Sequence, residues 1–164
     1  MGILGEELSA GLADGPHLIH VLLRLIAAML LGAVVGMQRQ HVGKPAGLRT
    51  HVLVSMGTTV FVLTCAGAGM AMADLSRVIQ GLVTGIGFLG AGSILKLNEE
   101  RDIQGLTTAA GIWMTAAIGV AVGLGTLGIA LLGTLFTFTV LSVFGYIEHR
   151  TKKQRTTPNK DETI

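Results

Sequence analysis

Residues 78–97 read VIQGLVTGIGFLGAGSILKL, twenty positions with no carboxylate and no charge before Lys96. At about 1.5 Å per residue, a helix of that length covers the roughly 30 Å hydrocarbon core of a bilayer. The stretch is therefore read as a membrane-spanning helix. Its five glycines, Gly81, Gly85, Gly87, Gly90 and Gly92, would weaken a helix in water, but in lipid they let a neighbouring backbone come close. Their density predicts helix packing at these positions.

Composition extends the same conclusion to the whole chain. Of 164 residues, 50% are hydrophobic and 13% charged, which is the balance of a membrane protein. The 24 glycines fall inside apolar runs without a collagen period, as packed helices require. Cys65, the lone cysteine, cannot close an internal disulfide. The net charge of +2 says less than its placement. Basic residues sit beside apolar runs without aromatic platforms, so the expected partner is the lipid bilayer and no nucleic acid.

Working outward, apolar runs predict spans at 17–37, 51–72, 78–97, 106–122 and 126–146, an external lead-in over 1–16 and a basic, disordered cytoplasmic tail over 148–164. Arg24 lies a third of the way into the first span, where a charge costs about 2.5–3.5 kcal/mol unless it meets protein, water or headgroups. It either snorkels outward or lines a polar route, since His20, Arg24, Ala28, Gly32 and Gly36 recur every four residues. The first loop carries Arg39, Lys44 and Arg49 with no acid, so the positive-inside rule puts it in the cytoplasm and the N-terminus outside. Thr50 is a candidate cap for the second span.

On the fourth span Gly111, Thr115, Gly119 and Gly123 form a second small-residue face, with Trp113 opposite, toward lipid or another subunit. The expected fold is an all-α polytopic membrane protein of about five helices. Its third and fourth helices pack together, and a second copy can pair with them as a homodimer.

Chemical motifs are sparse. Gly85, Gly87 and Gly90 spell GxGxxG without the strand, helix start and acid of a dinucleotide site. No paired cysteines or histidine clusters suggest zinc. Ser93 and Cys65 have no evident base nearby in the sequence. No enzyme, cofactor or metal is expected. Magnesium needs near-octahedral oxygen ligands, and the spans as drawn contain no Asp or Glu. Inside, Arg39, His41, Lys44 and Arg49 either pair with Glu99, Glu100 and Asp102 or hold an anion at a helix start. Arg49 stands out because a cation there opposes the helix dipole.

Three stretches, AAMLLGAVVGMQRQHVGKPAGLRT (27–50), GLVTGIGFLGAGSILK (81–96) and GLTTAAGIWMTAAIGVAVGLG (105–125), resemble the membrane domain of the MgtC/SapB family in order and spacing. The resemblance implies a bacterial inner-membrane protein tied to magnesium limitation, virulence and stress adaptation. It also implies action on other membrane proteins, such as the rotary ATP synthase or a transporter. Signature positions carried over are Arg39, Gly47, Arg49, Thr50, Gly85, Gly87, Gly90, Gly92, Thr107, Thr108 and Trp113.

Gln38 stands where the family usually has glutamate, and about 17 residues follow the last span where many members carry a soluble domain. Candidate anion or partner contacts are therefore Arg24, Gln38, Arg39, Arg49, Thr50, Thr107, Thr108 and Trp113. The expected activity is binding and modulation, with a small channel or transporter for magnesium or an anion as the rival.

Overall fold

The computed structural model describes residues 15–96 and 103–155. Expectations for 1–14, most of the charged turn at 98–104 and the last nine residues lie outside the described residues. Five helices follow in order: α1 (Gly15–His41), α2 (Leu48–Gly67), α3 (Met72–Gly92), α4 (Leu106–Gly123) and α5 (Leu127–Arg155). A two-residue antiparallel pairing, β1 (Leu95–Lys96) with β2 (Ile103–Gln104), bridges α3 and α4. All five helices are long and apolar enough to cross a bilayer. The chain is an all-helical, multi-pass membrane protein.

Several boundaries differ from the sequence expectation, each for a local reason. α1 begins at Gly15 and is 27 residues long, about 40 Å, because Pro16 suits a first helical turn. α3 begins at Met72, not at 78, since Asp74 in its first turn complements the helix dipole. It ends at Gly92, ahead of the β1 pairing. α5 continues as helix to Arg155, so the tail expected to be disordered from 148 is helical backbone through that point. Its Glu, Lys, Arg and Gln residues are good helix formers. Thr50 does not cap α2. The N-cap is Gly47 without a side-chain bond, and Gln40 Oε1 accepts from Leu48 N at 3.4 Å.

Close packing is centred on α2, not on α3. A Cβ on Gly32 would lie 2.9 Å from the His51 carbonyl oxygen, and one on Gly36 2.7 Å from Leu48 Cα. On the other side of α2, a Cβ on Gly119 would strike Ser55 O and Thr58 Oγ1, and one on Gly123 would lie 2.7 Å from Val62 Cβ. α1 and α4 thus clasp α2 through glycine contacts, the close backbone approach that lipid-embedded helices use. A buried cluster of Ala28, Val35, Ile118, Val122, Ala130 and Leu141 joins α1, α4 and α5.

The glycines that the sequence put at the centre are mostly unengaged. Added Cβ atoms at Gly81, Gly85, Gly87 and Gly92 meet nothing within 4 Å, whereas Gly90 faces Ala109 Cβ at 3.5 Å. α3 does pack on α4, through buried Ile86 and Gly90. With 3.6 residues per turn, Gly81, Gly85 and Gly92 share one face and Gly90 lies opposite. One face is used and the other is open.

Candidate functional site

The absence of a side chain at Gly36 lets the start of α2 lie against the end of α1. Arg39, almost one turn further on, is thereby enclosed among α1, α2 and α4 and is only 3% exposed. Its Nη2 donates to Thr108 Oγ1 at 3.2 Å. Its Nε–H finds no hydrogen-bond partner among the described protein atoms. Burying a cation in this way costs several kcal/mol unless its donors are matched.

His51, on α2, is fully buried. Its Nδ1 lies 2.7 Å from Thr115 Oγ1, a hydroxyl that also donates to the Gly111 carbonyl at 2.9 Å. In the neutral ring one nitrogen carries a proton and the other a lone pair, and the Ala46 carbonyl also faces the ring. Nε2 is buried without a well-formed hydrogen bond, as is Ser55 Oγ one turn along α2. Deeper still, Thr59 Oγ1 lies 2.9 Å from Ser55 O and 2.8 Å from Gly119 O, so one proton serves carbonyls on two helices. Thr108, Gly111, Thr115 and Gly119 on α4 form the facing wall. The result is a polar seam running from Arg39 into an otherwise apolar bundle.

Chemically, the seam offers a guanidinium donor, an imidazole and a hydroxyl. That set suits a small hydrogen-bonding molecule or an anion beside Arg39. It opposes a divalent cation, which needs oxygen ligands and no adjacent positive charge. Among the described residues, no group of three or more His, Cys, Asp or Glu could hold a metal. Ser93 Oγ donates to Gly90 O at 2.7 Å.

The structure brings only some of the expected residues together. Arg39 and Thr108 touch, and Thr115 and Gly111 lie beside them. Gln38 turns the other way, donating from Nε2 to Leu141 O on α5 at 3.1 Å. A carboxylate at that position would have no proton to donate, so the bond depends on the amide of Gln38.

Arg49, Thr107 and Trp113 are exposed, and Thr50 is partly so. Arg24 is 15 residues before Arg39 on α1, about 22 Å away, and its Nη1 donates to Gly123 O at 2.9 Å. There it caps the C-terminal end of α4, where a cation is favoured. Buried Ala28, Gly32, Val35 and Gly36 close α1 between the two arginines. His51 and Ser55 do not stand out as site residues in the sequence, because His51 only opens an apolar run. The signal was the four-residue recurrence of His51, Ser55 and Thr59, facing Thr115 and Gly119.

A model of the MgtC family matches residues 25–150. Protein SrpB of Synechococcus elongatus is 47% identical over 132 residues, covering 74% of this chain and 72% of that protein. YhiD of Escherichia coli K12, provisionally named a magnesium transporter, is 44% identical over 139 residues, 79% of this chain and 62% of its own length. MgtC of Salmonella typhimurium is 45% identical over 114 residues, 70% and 48% respectively. No solved structure matches the chain. The chain thus spans most of SrpB but less than two thirds of YhiD and about half of MgtC. Matched along most of its length and through the helices that build the seam, this chain belongs to the MgtC family.

Proposed function

We propose that the chain is a non-catalytic protein of the bacterial inner membrane, N-terminus outside and C-terminus cytoplasmic, that serves adaptation to magnesium limitation by binding and modulating other membrane proteins. The observation carrying this reading is the open face of α3. Between α2 and α3 lies an apolar groove of about 600 Å³, lined among others by Leu53, Gly57, Phe61, Gly81, Gly85 and Leu89. In lipid, a glycine-floored groove suits a transmembrane helix, because the backbones can approach closely. The partner is a helix of another membrane protein, such as the rotary ATP synthase or a transporter by family resemblance. A second copy in a homodimer would compete for the same groove.

Photo-crosslinking from position Leu82 should capture one discrete protein partner, and Gly81→Leu with Gly85→Leu should abolish that product without unfolding the chain. Adducts to lipid alone would sink the reading. A small channel is the second reading, favoured by the polar seam inside the bundle. Liposomes containing the protein that pass no magnesium, phosphate or chloride under a gradient would remove it.

A further inference from the structure

A second basic cluster stands at the far end of α1. His17, His20 and Arg24 lie at i, i+3 and i+7, one face of the helix. With Val21 and Leu63 of α2 they line a half-open cleft of about 200 Å³ that contains no acidic side chain among the described residues. Arg24 is held in place, with Nη1 donating to Gly123 O at 2.9 Å and the guanidinium lying over Gly125, whose added Cβ would sit 2.6 Å from Nη2. A guanidinium has five N–H donors in a fixed fork. Anchoring one of them leaves a preset arrangement for an incoming oxyanion, while His17 and His20 are exposed at the mouth.

The depth of the cleft narrows the ligand. Arg24 lies level with the turn between α4 and α5, where Gly125 has φ +82° and the chain reverses. A chain reversal belongs at the membrane edge, because backbone outside helices must reach water or protein partners. The cleft therefore opens at headgroup level, with Val21 and Leu63 as apolar lining beside the donors. We propose that it binds a phosphate oxyanion, carried by an anionic phospholipid headgroup or free as inorganic phosphate. Arg24 supplies the fork and the two imidazoles supply N–H donors.

The full-length chain, purified in detergent, would be titrated with phosphatidylglycerol and with a diacylglycerol of the same chains, and bound molecules counted by native mass spectrometry. The wild type should retain phosphatidylglycerol in preference to diacylglycerol. His17→Ala with His20→Ala, which touches only exposed side chains, should weaken retention about tenfold, the worth of one charge-assisted hydrogen bond. Arg24→Gln should weaken it at least as much. Displacement of the lipid by millimolar inorganic phosphate would assign the site to free phosphate, and resistance would assign it to the lipid. Equal retention of both lipids, or unchanged phosphatidylglycerol binding in the double histidine variant, overturns the proposal.

Discussion

His51 Nδ1 on α2 and Thr115 Oγ1 on α4 are hydrogen-bonded across 2.7 Å, and both side chains are fully buried. This bond fixes the imidazole inside the bundle. It also couples the two helices that carry most of the close packing.

Replacing Thr115 by valine keeps the shape and removes the hydroxyl. The buried His51 Nδ1 would then be left without its partner, at a cost of about 1–3 kcal/mol. Thermal unfolding in detergent should show a lowered midpoint for Thr115→Val, with Thr107→Val, on the exposed surface, close to wild type. Equal midpoints for Thr115→Val and wild type would mean the bond contributes nothing.

Glycines on α3 and α4 should respond oppositely to alanine. Gly119→Ala drives a methyl into Ser55 O and Thr58 Oγ1, and such overpacking costs about 1–3 kcal/mol. Gly87→Ala meets open space and gains up to about 1 kcal/mol of helix propensity. The unfolding midpoint should fall for the first and hold or rise for the second; the reverse order would contradict the clasp of α2 by α4.

Arg39 separates a functional role from a structural one. A methionine of similar length removes a buried charge, a change that is often neutral or stabilising. Arg39→Met should therefore cost no more than about 1 kcal/mol of unfolding free energy while failing to restore growth of a deletion strain in low magnesium. A loss of about 3 kcal/mol or more would make Arg39 a structural post.

Gly125→Ala faces two penalties at once. Its φ of +82° disfavours any side chain, and the methyl would press on the Arg24 guanidinium at 2.6 Å. The left-handed penalty alone is about 1–2 kcal/mol. Unfolding should report at least that loss, whereas Gly128→Ala, with open space around it, should not.

Membrane class and the number of helices were legible from residues 78–97 and the four other apolar runs. So was the small-residue face of α4, because Gly111, Thr115, Gly119 and Gly123 sit at the helical repeat. The centre of packing was not legible. Gly81 and Gly85 show the same four-residue spacing as Gly119 and Gly123, yet only the latter pair has a neighbour within van der Waals reach. Arg39 and Thr108 are both candidates in the sequence, but nothing in their spacing pairs them, and nothing there singles out His51.

By itself, the sequence determined that this chain crosses lipid as helices and roughly where each helix turns back. Length and hydrophobicity suffice for that, since backbone in hydrocarbon must satisfy its own hydrogen bonds. Tertiary structure alone decided which helix each glycine face meets and which polar side chains are sealed together. A glycine states how near a neighbour can come and carries no information about which neighbour. Arg39, His51 and Thr115 come from three helices, and only the rotation and depth of those helices make them one site.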